Sequence, residues 1–303
     1  MFFSRTIKLA KKNIALYVFS LPVIIFLILF AYMPMYGIQI AFRNYTFAGG
    51  ITGSPWVGLR WFEFFFNSPM FSTVMSNTII LNLYGLVAGF PIPIILAIML
   101  HNTINRKFKR VVQTVSYMPF FISTVIVVGM MSAFFSIHAG FVNTIITWFG
   151  GSPVFFMGEP QYFRHMFVWS GVWQFMGWQS IIYLAALSAV NNELYEAAMI
   201  DGASVMRRIW HIDLPGILPT IMILLILRSG SIIHADFEKV FLMQNSLNLS
   251  VSEVMPTYIY KMGLIDMRFS FASAVGLFNN VINFGILILV NWVSKRYSEV
   301  SLW

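Results

Sequence analysis

"EAAMIDGASVMRRIWHIDLP" occupies Glu196–Pro215. It places carboxylates, a pair of arginines, a histidine and a glycine inside a chain whose flanking stretches are apolar. Read locally, it predicts two short helices joined by a bend. Asn191, Asn192 and Glu193 carry the side-chain chemistry of a helix start. Leu194, Ala197 and Ala198 then give the first helix a small apolar face. Gly202 permits a sharp change of direction because it tolerates positive φ. Val205, Ile209 and Ile212 line one side of a second helix, which Leu214-Pro215 is predicted to stop, with Pro219 in the first turn of the next membrane helix. A merely solvated interfacial loop fits the same pattern, but the small-residue face favours something that packs closely against it.

The flanking composition sets the solvent. Of 303 residues, 58% are hydrophobic and 10% are charged, against about 25% charged in a soluble domain. The mean hydropathy is +0.77, which places the chain in a bilayer. The net charge is +8, but the basic residues cluster beside apolar runs, a sign of membrane topology rather than of nucleic-acid binding. There is no cysteine, which excludes disulfides, thiolate metal sites and a cysteine nucleophile. The basic N-terminus followed by the long run Leu16–Tyr36, with no small-residue cleavage site after it, predicts an uncleaved first membrane helix rather than a signal peptide.

Six stretches reach the roughly 20 apolar residues that a bilayer core takes as helix: Leu16–Tyr36, Thr73–Leu100, Val111–Phe135, Met166–Val190, Ile217–His234 and Ala272–Val293. The second carries Pro91 and Pro93, which predict a kinked, packed helix. Arg5, Lys8, Lys11, Lys12, Arg106, Lys107, Lys109, Arg110, Arg207, Arg208, Lys295 and Arg296 fall on one side of this layout; Arg43, Arg60, Lys239, Lys261 and Arg268 fall on the other, with Arg164 at a boundary. The richer side is cytoplasmic, so both termini and the quoted stretch are predicted inside. Trp56, Trp61 and Phe64-Phe65-Phe66 are predicted to lie at the headgroups. With no repeat, low-complexity tract or linker, residues 1–303 are expected to form one all-α membrane domain.

Glu196-Ala197-Ala198, Gly202, Ile212 and Leu214-Pro215 fall at the spacing EAA-x3-G-x9-I-x-LP, which resembles the EAA signature of ATP-binding-cassette importer permeases. The wider chain is similar to the carbohydrate, maltose-type branch. Within it, "RKFKRVVQTVSYMPFFIS" at Arg106–Ser123 and the tail "SKRYSEVSLW" resemble permeases for oligosaccharides, polysaccharides or lipo-oligosaccharides. The resemblance implies a type I importer fold of six transmembrane helices in the bacterial cytoplasmic membrane. It also implies a coupling helix, between helices 4 and 5, that docks into a cytoplasmic ATPase. Ala197 and Ala198 then let the helix seat, Gly202 sets the bend, and Glu196 is an ion-pair or capping group. Asp201 either caps the second helix or faces the ATPase; Arg207 and Arg208 meet the partner or snorkel to lipid phosphates. The implied partners are a second, different permease, two ATP-hydrolysing subunits and an extracytoplasmic sugar-binding protein. This chain has no G-x-x-x-x-G-K-[ST] stretch, so ATP and Mg2+ belong to the ATPase and no cofactor is expected here.

Polar residues in the apolar stretches are the candidates for a sugar path. Arg228 is costly at mid-membrane, about 2.5–3.5 kcal/mol on insertion scales, and is either a cavity or gate residue or a structural bonding partner. Asn279 and Asn283 share a helix face with each other, and with Asn280 they either meet sugar hydroxyls or bond neighbouring helices. Trp173 and Gln174 fit sugar stacking and hydroxyl recognition, beside Trp169, Trp178 and Gln179, for which an interfacial belt is the plainer account. An ion-driven secondary transporter is the alternative transport class, but the six stretches lack the intramembrane acids it uses. A membrane hydrolase lacks an acid–base or metal constellation. Non-sugar cargo stays open, because the EAA spacing serves many importers.

Overall fold

The computed structural model describes residues 13–229 and 236–298, all helix, turn and loop save two isolated bridges. The basic N-terminal residues Arg5, Lys8, Lys11 and Lys12, His234, and the tail beyond Ser298 lie outside the described residues. In chain order the helices are α1 (Ile14–Phe42, closing in a 3-10 turn), α2 (Arg60–Phe66), α3 (Pro69–Gly89), α4 (Pro91–His101), α5 (Arg106–Tyr117), α6 (Thr124–Phe134) and α7 (Phe141–Trp148). They continue with α8 (Pro160–Ser188), α9 (Asn192–Ile200), α10 (Val205–Arg208), α11 (Leu214–Ser229), α12 (Phe237–Met243), α13 (Met255–Tyr260) and α14 (Phe269–Ser298).

Two compact units emerge, residues 13–66 with 262–277 and residues 67–261 with 278–298. In the first, α1 buries none of its apolar window, as a lipid-facing or partner-facing span does. The loop after it is folded tightly. Arg43 Nη1 donates to the Thr52 and Ser54 carbonyls at 2.9 and 2.8 Å, and Trp61 Nε1 donates to the Arg43 carbonyl at 3.0 Å. Phe65 is buried against the Phe271 ring, and Trp61 and Phe64 meet the same ring edge-on. Only part of the expected interfacial aromatic set is therefore free for headgroups: Trp56, Phe64 and Phe66 are exposed, whereas Phe65 is buried.

In the second unit, α8 is the axis. It touches α3, α4, α5, α11 and α12. Gly177 explains how close α5 comes: a Cβ there would fall on the Ser116 carbonyl. Apolar cores gather on either side, one around Leu81, Val127, Phe163 and Val240 and one around Ile98, Tyr183, Leu187 and Ile217.

Among the described residues, four helical runs are long and apolar enough to cross a membrane, or five if a bent pair counts as one span. The first is α1; the second joins α3 to α4 across Phe90, where Pro91 and Pro93 stand as expected. The stretch expected as a span over Val111–Phe135 is broken rather than continuous: the run bends by 100° between Phe121 and Thr124. Pro119 starts a 3-10 turn there and Ser123 Oγ recaps α6 by accepting from Ile126 N at 3.5 Å. The fifth expected stretch begins earlier than Ile217, since helix is continuous over Val205–Ser229. α8 is long enough at 29 residues but falls outside the apolar set, because glutamine and tryptophan dilute its hydropathy. A helix of that composition needs protein around it rather than lipid.

Gly177→Ala is expected to wedge α5 from α8 and lower stability by about 1–3 kcal/mol, read as the melting temperature of the purified protein. Gly129→Ala, which meets nothing within 4 Å, serves as the control and should leave melting unchanged. Equal melting of the two variants would contradict the packing described.

Candidate functional site

The quoted stretch folds largely as its sequence predicts. Asn191 caps α9, its Oδ1 accepting from Glu193 N at 3.0 Å. The helix ends in a tight turn: Ala203 N donates to the Ala198 carbonyl at 2.8 Å, and Gly202 takes φ +70°. That left-handed conformation is why glycine stands there. Two details are corrected. The side chain capping the second helix belongs to Ser204, whose Oγ accepts from Arg207 N at 3.4 Å, and not to Asp201. Leu214-Pro215 does not stop that helix: Ile209–Asp213 forms a π-turn in which Leu214 N reaches the Ile209 carbonyl, and α11 continues. The wider turn relieves the clash that the Pro215 ring makes with an α-helical carbonyl and absorbs its missing N–H.

Glu196, Ala197, Asp201, Gly202 and Pro215 are exposed, and Ala198, Ile212 and Leu214 are half-buried. Ala198, Asp201, Arg207, Arg208, His211 and Ile212 line a concavity of about 240 Å³. The surface thus presents small residues, carboxylates and arginines together.

Sequence reasoning missed the residue that fixes this surface. Asp213 is 0% exposed. Its Oδ1 accepts from the Tyr195 hydroxyl at 2.6 Å and its Oδ2 from Asn102 Nδ2 at 2.9 Å. One buried carboxylate therefore ties α9 to the end of the α3–α4 span. Burial, then the bond to Asp213 and its charge, raise the Tyr195 phenol above its usual 10.0, with Arg208 opposing. A phenol raised in this way keeps its proton through neutral and mildly alkaline pH, so the contact is lost only as pH rises through the raised value. The available signal was an acid directly before an apolar, proline-bearing helix, a position where only a partnered carboxylate is tolerated.

The polar candidates within the apolar stretches separate into different places. Arg228 lines a cavity of about 210 Å³ with Asn82, Gly85, Gly89, Gln179, Asp236 and Lys239 among its walls. Its Nη1 donates to Gln179 Oε1 at 3.2 Å and its Nη2 to the Gly85 carbonyl at 3.4 Å. Trp173 lines a separate, apolar cavity of about 490 Å³ with Trp169, His165, Tyr162 and Met131. Gln174 is buried, and its Nε2 donates to the Ile122 carbonyl at 2.9 Å, one of the groups freed where the helix bends. Asn279 is buried on α14 with Oδ1 unpartnered among the described residues, and Asn283, one turn on, is half-buried. Among the described residues no His, Asp and Glu side chains gather as a metal site.

Asp213→Ala is expected to leave Tyr195 and Asn102 without their shared acceptor and to loosen α9 by about 1–3 kcal/mol. Amide hydrogen exchange over residues 192–200 should rise by the corresponding factor, with Tyr195→Phe giving a smaller rise. Unchanged exchange in Asp213→Ala would show that α9 is held by other contacts.

With this geometry in hand, the comparisons are specific. The family model described as binding-protein-dependent transport system inner membrane component matches residues 89–299, a region holding Glu196–Pro215 and Arg228. The chain is 40% identical to the polygalacturonan/rhamnogalacturonan transport system permease protein YteP of Bacillus subtilis, over 98% of this chain and 92% of that one. It is also 40% identical to protein LplB of the same organism, over 97% and 92%. Among solved structures, a bacterial alginate ABC transporter in complex with alginate pentasaccharide-bound periplasmic protein contains a chain that superposes with a TM-score of 0.91. That chain is 37% identical to this one, covering 97% of this chain and 99% of its own. The chain belongs to the family of binding-protein-dependent transport system inner membrane components, the permeases of ATP-binding-cassette importers, in its carbohydrate branch.

Proposed function

We propose that this chain is one of two different permeases in an importer that moves an oligosaccharide or a polysaccharide-derived sugar into the bacterial cytoplasm. Residues 1–303 act as one permease domain that crosses the cytoplasmic membrane six times, with α8 as the fourth crossing and both termini inside. Two ATP-hydrolysing subunits supply the energy, and an extracytoplasmic binding protein delivers the sugar. The cargo assignment rests on relatives whose stated substrates are polygalacturonan, rhamnogalacturonan and alginate. Glu196, Ala197, Ala198, Asp201, Gly202, Ile212, Leu214 and Pro215 form the ATPase-docking surface. Arg228 lines the sugar path or its gate, with Trp173, Asn279 and Asn283 as further path candidates and Gln174 as support for the bend beside it.

The observation that carries this reading is the exposed EAA ridge beside a glycine held at φ +70°, a preformed docking surface on a chain belonging to a permease family. Gly202→Val places a β-branched residue where positive φ is strongly disfavoured. In the assembled complex it is expected to reduce ATPase co-purification and abolish sugar uptake while membrane insertion is normal. A normal amount of bound ATPase with full uptake would sink the docking assignment. A single cysteine replacing Ser204, easily read in a chain without native cysteine, should be shielded from an impermeant thiol reagent in intact cells and react after permeabilisation. Labelling in intact cells would invert the topology.

A further inference from the structure

The cavity that holds Arg228 contains a second cation for which the docking surface gives no role. Lys239, on the first turns of α12, is 2% exposed and lines the same cavity. Its Nζ stands 5.1 Å from the centre of the Phe167 ring. Among the described residues it has no hydrogen-bond acceptor and no carboxylate within ion-pair distance, the ion pair found there being Lys261–Glu253. A buried ammonium in that condition is costly unless an anion reaches it, and a ring face offsets only part of the cost.

The walls are shaped for a guest. A Cβ at Gly171 would come within 3.3 Å of Lys239 Nζ, and one at Gly89 within 3.0 Å of Arg228 Nη2. Both positions are glycine, and both cations keep room. One acid, Asp236, shares the lining: its Oδ1 caps the start of α12, accepting from Lys239 N at 3.2 Å, and its charge acts on Lys239 from beyond ion-pair distance. With Arg228 and Lys239 against Asp236, the described lining carries an excess positive charge. Gln179 and Asn82 add amides suited to hydroxyls.

We propose that this cavity is an anion site that takes the carboxylate of an acidic sugar unit, with Lys239 as its principal counter-charge and Arg228 as the second cation. The inference rests on the importer reading and narrows its cargo to uronate-containing oligosaccharides. A neutral sugar leaves the ammonium of Lys239 with only the more distant charge of Asp236; a uronate pairs it directly while its hydroxyls meet the amides.

The test uses the purified, assembled transporter and two probes of the same shape, digalacturonate and its dimethyl ester, which differ in charge. The wild-type complex is expected to bind the acid at least about tenfold more tightly than the ester, the scale of one charge-assisted hydrogen bond. Lys239→Met should remove most of that preference, and Lys239→Arg should retain it. Equal affinity of the wild-type complex for acid and ester overturns the proposal, and this comparison needs no variant to fold. Retention of the preference in Lys239→Met overturns the assignment of Lys239. A complex that binds neither probe but drives uptake of a neutral glycan refutes the anion site and leaves the importer reading intact. A complex that drives no glycan uptake refutes the cargo reading itself.

Discussion

A single helical run from Val205 to Ser229 carries two groups that a lipid environment does not accept. Asp213, near its N-terminal end, is fully buried, and Arg228 sits near the opposite end. Each must find its partners in protein, and each recruits a different element. Asp213 draws in Tyr195 from α9 and Asn102 from the end of the second span. Arg228 draws in Gln179 from α8 and the backbone of Gly85 from α3. The EAA surface and the polar cavity are thus fixed to the two ends of one rod, about 22 Å apart over fifteen residues of helix. The π-turn at Ile209–Asp213 is what lets that rod pass through Pro215 unbroken.

The rest of the second unit supports the rod through α8. This helix is the least apolar of the long ones, and its polar side chains are put to work rather than left to lipid. Gln174 satisfies a carbonyl released at the sharp bend before α6, and Gln179 holds the guanidinium of Arg228. Gly177 brings α5 close, and Gly171 leaves space for Lys239. The spacing of these residues along α8 explains how one helix both props a broken span and walls a cavity.

Much of this was legible from the residues. The EAA spacing marked the exposed loop, Gly202 marked its bend, Asn191 its start, and the Pro91–Pro93 pair marked the break in the second span. The cost of a mid-membrane arginine singled out Arg228 before any cavity was visible. What stayed hidden depended on contacts distant in sequence or on compensating local geometry. Asp213 meets Asn102 across more than a hundred residues. The bend at Pro119–Ser123 lies inside a stretch whose hydropathy is uninterrupted, and hydropathy carries no angle. Pro215 reads as a helix stop by the usual rule, and only the π-turn reverses that outcome. Lys239 reads as an ordinary loop cation until burial places it beside Arg228.

The central claim is that the coupling loop and the cavity move as the two ends of one rigid helix. Pulsed electron spin resonance between labels on cysteines replacing Met206 and Leu227, both well exposed, tests it most directly in the assembled transporter. Helical rise places the two backbones about 31 Å apart. The account predicts one narrow distance distribution that is unchanged between the nucleotide-free and ATP-bound states. A shift or a second population on ATP binding would show that the helix breaks at its π-turn, and would contradict the claim.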